Sequence, residues 1–403
     1  MLTATHPARE MLALRLQDAR ARTDELFSII HPAAIYRRPV PERHRLIFYM
    51  GHLEAFDWNQ ICRRALDVPS FQPEFDRLFE FGIDPEPGRA PADTEADWPS
   101  RDQVGQYNRK TRQIVDDRLA DAPEEILHVA IEHRLMHAET FAYLLHNLPY
   151  QDKLAPKASL SPAGPPPDSS WIAIPAGQAV LGQKRGDGFG WDNEFEAHAA
   201  TAAAFRLAKH KVTNSEFLEF VNSGGPAPHY WVARGGQWLY RAMFREVPLP
   251  LDWPVFVTGE QAVAYAHWRG KRLMSEAEFH RAVGNRLYPW GDSPPTPERG
   301  NFDFTRWDPE PVNATPGGDS EHGVSQLVGN GWEWTSTVFT PFAGFQAFPF
   351  YPGYSANFFD GRHYVLKGGS PRTAACLLRK SFRNWFRPNY PYVHASFRLA
   401  EDC

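Results

Sequence analysis

The sequence lacks long hydrophobic runs and has no excess of positive charge. Its longer apolar runs, such as residues 46–50, are far shorter than the roughly 20 residues that a helix needs to cross a bilayer. The formal net charge is -5 at pH 7, so no basic field is available to bind a nucleic-acid backbone or an anionic membrane. We therefore expect neither a nucleic acid nor a membrane as a partner.

Cysteine is also scarce. Its three copies, Cys62, Cys376 and Cys403, are widely spaced and odd in number, which argues against a disulfide framework. Residues 1–20 mix Arg, Glu and Asp with Leu and Ala, unlike the charged and then apolar segments of a signal peptide. The expected location is therefore the cytoplasm. The sequence leaves the oligomeric state open.

The first part of the chain predicts a helical bundle. Apolar residues recur there every three or four positions, the pattern of amphipathic helices. Three such helices are predicted, at residues 11–30, 43–66 and 100–119. Pro123 and the acidic residues after it open a fourth, which runs to residue 147. Ligand sites of a four-helix bundle are expected in its core or at its mouth.

The composition changes after the bundle. Residues 155–170 are rich in Pro, Ser and Gly and predict a linker between a domain at 1–154 and a second at 171–403. The second domain combines short apolar runs with frequent Gly, Pro and aromatic residues, which predicts an irregular α+β domain. Its predicted helices lie at 214–222, 259–268 and 275–283, the last with Ser275 and Glu278 as a capping box.

Three histidines form the most informative pattern. His133 and His137 are four residues apart on a predicted helix, so both rings project from one face and can share one metal ion. His52 lies on another predicted helix within an apolar stretch, where an unpaired imidazole would be costly. Helical phase sets Glu139 on the opposite side of the helix, which favours a structural role over a place in a two-histidine, one-carboxylate iron site. From spacing alone, ordinary hydrogen-bonded histidines and a zinc site both remain open.

At this point the chain resembles a known family. The second half is similar to the formylglycine-generating-enzyme (sulfatase-modifying-factor) fold, a mixed domain of C-type-lectin type, and the first half resembles the DinB-like helical bundle fused to that fold in sulfoxide synthases of ergothioneine and ovothiol biosynthesis. The matching segments are Ile174-Pro175-Ala176-Gly177, Gly190-Trp191-Asp192-Asn193-Glu194, Gly329-Asn330-Gly331-Trp332-Glu333-Trp334-Thr335, Phe397-Arg398-Leu399-Ala400, Gly51-His52, Phe79-Glu80-Phe81-Gly82-Ile83-Asp84-Pro85 and Glu132-His133 through Thr140.

The resemblance implies a non-haem Fe(II) cofactor on His52, His133 and His137. It also implies an O2-dependent reaction that joins the sulfur of a thiol to the imidazole of hercynine and leaves a sulfoxide. Substrate binding by Asn384 and Trp385 is implied as well, since the face of a Trp ring attracts a quaternary ammonium group by a cation–π contact. Met136 stands where some relatives place a glutamine that contacts the substrate.

The thiol donor and the family's tyrosine are inferred from differences between branches of the family. Relatives that use γ-glutamylcysteine follow the Asn-Trp pair with Asp, whereas Phe386 and Arg387 follow it here. This difference, and a likeness of residues 358–393 to fungal ergothioneine synthases, favours cysteine as the donor. The candidates for the tyrosine that donates a proton or an electron are Tyr354, Tyr351 and then Tyr107, although a packing role fits each equally well.

Three other activities stay open. An ovothiol-type reaction of cysteine with histidine is mildly disfavoured because no methyltransferase domain follows in this chain. A selenium donor could replace the thiol. From another class, a protein-modifying formylglycine-generating oxidase would need a reactive cysteine pair, and neither Cys376 nor Cys403 lies in such a motif.

Overall fold

The computed structural model describes residues 7–82, 91–154, 156 and 160–403 of the chain. The chain divides into two compact units, Met1–Pro156 and Lys157–Cys403. Ile83, Asp84 and Pro85 of the matched segment, and residues 155 and 157–159 of the predicted linker, lie outside the described residues. Within the described residues, no helix is both long and apolar enough to cross a membrane.

The first unit is helical, as predicted. Its α-helices are α1 (Pro7–Ser28), α2 (Leu46–Asp57), α3 (Pro73–Phe81), α4 (Arg101–Arg118) and α5 (Glu124–Asn147). Local sequence determines where α4 begins. The Ser100 side chain accepts a hydrogen bond from the Gln103 backbone N–H, and the Gln103 side chain accepts one from the Ser100 backbone N–H.

Two parts of this unit differ from the prediction. The second predicted helix ends as an α-helix at Asp57 and continues as a π-helix over Trp58–Ala65, a wider winding that is common near functional sites. Helix α3 was not predicted, because only Asp76 and Phe79 of its nine residues are buried and the apolar stripe is therefore too short to recognise.

The second unit contains short strands and three α-helices in its described part. The strands are β1 (Trp171–Ile174), β2 (Gly177–Leu181), β3 (His198–Ala202), β4 (Phe205–Ala208), β5 (Trp231–Arg234), β6 (Gln237–Arg241), β7 (Glu246–Pro248), β8 (Arg272–Leu273), β9 (Trp332–Val338), β10 (Tyr364–Lys367), β11 (Asn384–Phe386), β12 (Ala395–Ser396) and β13 (Leu399–Asp402). The two four-stranded sheets have the orders β1-β4-β13-β8 and β11-β10-β9-β12. The irregular α+β prediction is confirmed.

The helices of the second unit confirm the predicted positions. Helices α6 (Asn214–Asn222) and α7 (Gly259–Trp268) have the predicted bounds, and α8 (Glu276–Val283) begins directly after Ser275. The Ser275 and Glu278 capping box is present, with both of its hydrogen bonds formed.

A fully buried ion network explains one of the matched motifs. Glu333 of strand β9 accepts from the Lys211 ammonium at 3.0 Å and from the Arg398 guanidinium at 3.0 and 3.1 Å. Burial alone would raise the pKa of the Glu333 carboxyl, but the two cations hold it below its ordinary value. The Gly-Asn-Gly-Trp-Glu-Trp-Thr segment therefore supports the fold of this unit.

Candidate metal centre

Helices α2 and α5 bring the three predicted histidines together. His52 lies on α2, and His133 and His137 lie one turn apart on α5. One ring nitrogen from each can be chosen so that the three atoms lie within 4.8 Å of one another. Below, these residues are called the histidine triad. This spacing suits one shared metal ion.

Burial keeps the triad in the neutral form that binds metals. His133 is 2% exposed and His52 is 8% exposed. Because burial disfavours the imidazolium, the pKa of His52 is lowered to about 4, and the pKa values of His133 and His137 are lowered well below 6.5. The Nδ1 atom of His137 is buried and has no hydrogen-bond partner among the described residues. A buried ring nitrogen of this kind fits a metal-binding site.

Neighbouring groups fix the orientation of the rings. The Nδ1 of His52 lies 2.7 Å from the main-chain oxygen of Phe79, which can only accept. His52 therefore donates from Nδ1 and keeps the lone pair of Nε2 for a metal ion. The ring of Phe56 stacks on His133 with centroids 3.4 Å apart, and Phe48 stacks on His52 at 4.8 Å.

The carboxylates near the histidine triad are not candidate metal ligands. Glu54 accepts from Arg134 at 3.0 Å and from Arg112 at 2.7 Å, so it is part of an ion network. Glu139 is buried but does not belong to the group of possible ligands. The candidate ligand set thus consists of three neutral imidazoles.

Two more predicted residues lie in the first unit. Met136 is half-buried directly before His137 on α5. Tyr107 is 1% exposed, and its hydroxyl donates to the Asp76 carboxylate at 2.8 Å. Burial, followed by the charge of Asp76, raises the pKa of Tyr107 above its ordinary value. Its ring also contacts Phe79, with centroids 5.9 Å apart.

The predicted substrate-binding residues occupy strand β11 in the second unit. Asn384 and Trp385 are both half-buried. One face of the indole stacks on Phe339, with centroids 4.3 Å apart and an angle of 7°. Phe358 packs against the same indole with ring centroids 5.5 Å apart, so Trp385 is part of an aromatic cluster.

Tyr354 belongs to this aromatic cluster. Its ring lies edge-on to Trp385 at 5.3 Å and stacks on Trp191 at 4.0 Å. Tyr351 contacts Tyr354 at 5.6 Å and is more exposed. Of the three predicted tyrosines, Tyr354 therefore contacts the predicted substrate-binding tryptophan directly, and Tyr351 contacts Tyr354.

The residues after Trp385 differ in exposure. Phe386 is half-buried and stacks on Tyr390 with ring centroids 5.2 Å apart, whereas Arg387 is exposed.

The sequence predictions missed Arg383, which is 1% exposed and lies just before β11. Its guanidinium donates hydrogen bonds to both carboxylate oxygens of Glu276 at 2.9 and 3.2 Å. The two residues are 107 positions apart, so sequence spacing could not pair them.

Comparisons with known proteins agree with this architecture. Residues 157–403 match the family described as Sulfatase-modifying factor enzyme 1-like domain, and residues 15–147 match the DinB superfamily. The chain is 31% identical over 433 residues to the hercynine oxygenase of Mycolicibacterium thermoresistibile, covering 98% of this chain and 96% of that protein. It is 35% identical over 327 residues to the hercynine oxygenase of Mycobacterium tuberculosis, covering 73% and 77% of the two chains. It is 27% identical to ergothioneine biosynthesis protein 1 of Neurospora crassa, covering 91% of this chain and 55% of that protein.

Proposed function

The chain belongs to the hercynine oxygenase family, and we propose that it uses iron(II) and O2 to join the sulfur of cysteine to the imidazole of hercynine in ergothioneine biosynthesis. The observation that carries the proposal is the buried histidine triad in a chain that is similar to hercynine oxygenases along nearly its whole length. The balanced reaction takes one C–H bond, one S–H bond and O2, and gives a C–S bond, a sulfoxide oxygen and one water.

His52, His133 and His137 bind the iron in this proposal. These three neutral imidazoles would hold the ion, which would supply the redox chemistry that the reaction with O2 requires. The fixed Nδ1 proton of His52 and the stacked ring of His133 hold two of the ligands in place.

Asn384 and Trp385 bind hercynine. The Asn384 side-chain oxygen accepts from the Trp385 backbone N–H at 2.9 Å, which leaves the amide nitrogen as a donor for the substrate. Because Phe339 covers one face of the Trp385 indole, the trimethylammonium group of hercynine would pack against the free surface of the ring.

Phe386 and Arg387 select the thiol. Phe386 cannot accept a hydrogen bond, so a γ-glutamyl group beside it would leave polar atoms unpaired, at a cost of about 1–3 kcal/mol. The exposed guanidinium of Arg387 is a suitable partner for the cysteine carboxylate. Met136, which lies directly before His137, takes the position at which some relatives have a glutamine.

Tyr354 is the proton donor that we favour. Its ring contacts Trp385, and the stack with Trp191 fixes its orientation. A phenol held in this way can deliver a proton at its hydroxyl oxygen to a reaction centre next to the substrate. Tyr351 and Tyr107 are the second and third choices.

The proposal is tested by the mass of the product formed under 18O2. Protein purified without oxygen is supplied with iron(II), hercynine and cysteine. We expect a sulfoxide that contains one 18O atom and does not form when hercynine, cysteine or iron is left out. Two matched reactions replace hercynine with histidine and replace cysteine with a selenium donor, and a third supplies a cysteine-containing peptide alone. A product only from histidine, only from the selenium donor or only from the peptide would overturn the proposal in favour of the corresponding activity.

A further inference from the structure

A glycine in helix α2 creates space for the ring of Phe79. Gly51 lies in the middle of the helix, where glycine is less favourable than alanine by about 1 kcal/mol. A Cβ atom at this position would lie 2.3–2.5 Å from three atoms of the Phe79 ring, which is closer than real Cβ atoms approach. Helix α3 can therefore pack this closely against α2 only because residue 51 has no side chain.

The close approach brings a carbonyl at the end of α3 to His52. Helix α3 ends at Phe81, and Gly82 caps it with a φ of 76° and an N–H that donates to the Leu78 oxygen. Carbonyls in the last turn have no partner within their own helix. The Phe79 carbonyl accepts from His52 Nδ1 instead, at 2.7 Å.

A buried carboxylate holds α3 in this position. Asp76 lies one turn before Phe79 and accepts from Trp58 Nε1 at 3.0 Å and from the Tyr107 hydroxyl at 2.8 Å. The Ser70 hydroxyl adds a third hydrogen bond at 2.6 Å. These contacts join α3 to the π-helix and to α4, so α3 has little freedom to move away from His52.

We propose that Gly51 and Phe79 form a positioning device for the metal ligand His52. The absence of a side chain at Gly51 seats the Phe79 ring, and the seated residue presents its carbonyl to His52 Nδ1, so that Nε2 is directed to the metal. Tyr107 acts through Asp76 as a further positioning residue. The inference rests on the proposed role of His52 as a ligand.

The test measures Co(II) binding to metal-free protein, which needs no turnover. Gly51→Ala should push the Phe79 ring away and weaken Co(II) binding by about tenfold to a hundredfold, with a changed ligand-field absorption spectrum. Phe79→Ala creates the missing space, so the double variant Gly51→Ala/Phe79→Ala should bind within about threefold of Phe79→Ala alone. Gly105→Ala is the matched control, because a Cβ in that α4 position meets only the flexible end of Arg109 at 3.4 Å.

The outcomes separate this inference from the proposed function. Wild-type affinity and spectrum in a folded Gly51→Ala protein would overturn the inference, as would a double variant that binds Co(II) much more weakly than Phe79→Ala alone. Wild-type protein that binds no Co(II) would instead count against the metal site itself.

A second measurement does not depend on the folding of the Gly51 variant. In 15N-histidine-labelled wild-type protein with bound zinc, NMR reports which ring nitrogen carries the proton, and His52→Gln assigns the signal. We expect His52 to carry its proton on Nδ1. A proton on Nε2 would contradict the inference.

Discussion

Arg134 donates to the Asp57 carboxylate at 2.6 Å in the interior of the helical unit, with both side chains almost fully buried. The same guanidinium donates to Glu54 at 3.0 Å. Arg134 directly follows His133 on α5, and Glu54 lies two residues after His52 on α2. The ion network therefore joins the two helices that carry the histidine triad.

Replacement of Arg134 should destabilise the helical unit strongly. Arg134→Met leaves two carboxylates buried without their main partner, which should lower the free energy of unfolding by about 3–5 kcal/mol. The measurement is urea unfolding followed by far-ultraviolet circular dichroism. Arg118→Met is the control, because the pair of Arg118 with Asp121 is exposed and 3.7 Å long, and it should change stability by about 0–1 kcal/mol. Equal effects of the two substitutions would contradict the prediction.

The effect of Arg134→Met should also depend on pH. Burial alone would raise the pKa of Glu54, but Arg134 and Arg112 lower it to about 2 from its ordinary value of 4.5. A carboxylate with a lower pKa in the folded protein contributes stability that is complete above the ordinary pKa and is lost as the pH falls through the folded pKa. In the variant, Arg134 no longer opposes the effect of burial on the pKa of Glu54. The difference in unfolding free energy between wild type and variant should therefore be greatest at neutral pH and above, and should become smaller as the pH falls toward 2. If this free-energy difference stays constant down to about pH 3, the pKa of Glu54 does not depend on Arg134.

Tyr354→Phe should change the partition between products. If the Tyr354 hydroxyl supplies a proton beside Trp385, its removal should reduce sulfoxide formation and increase oxidation of the thiol without C–S bond formation. The ratio of the two products is measured by mass spectrometry. Tyr107→Phe, which removes a hydroxyl bonded to Asp76, should change the ratio less. An unchanged ratio in Tyr354→Phe would exclude this residue, and Tyr351→Phe would then be tested.

Cysteine should be the preferred thiol donor. We expect a higher kcat/KM for cysteine than for γ-glutamylcysteine in parallel steady-state assays. Phe386→Asp adds a hydrogen-bond acceptor after Trp385 and should shift the preference toward γ-glutamylcysteine by about tenfold, the equivalent of one hydrogen bond. A higher kcat/KM for γ-glutamylcysteine in the wild-type protein would refute the assignment.

The sequence predicted the long helices well because their signals are local. The apolar periodicity of α1 and α4, the acidic first turn of α5 and caps such as Ser275 lie within or directly beside the helix that they define. Helix α3 was missed because nine residues with two buried side chains carry too little periodicity. Strand order was not predictable, since partners such as β4 and β13 are far apart in the sequence.

The candidate site was predictable only in part, for a similar physical reason. Helical spacing placed His133 and His137 on one face of α5. The apolar surroundings of His52 made it the third candidate, and the resemblance implied that it is a ligand. The orienting group of His52 is a backbone carbonyl, which no residue type reveals. The pairing of Arg383 with Glu276 depends on tertiary packing, so the sequence alone could not predict it.

The histidine triad is tested most directly by the iron content and the hercynine-dependent sulfoxide formation of His52→Ala, His133→Ala and His137→Ala. His128→Ala is the matched control, because His128 lies on the same helix but outside the triad. We predict that each triad variant folds, binds less iron and forms no sulfoxide, while the control retains both properties. Full iron content and full turnover in all three triad variants would contradict the account.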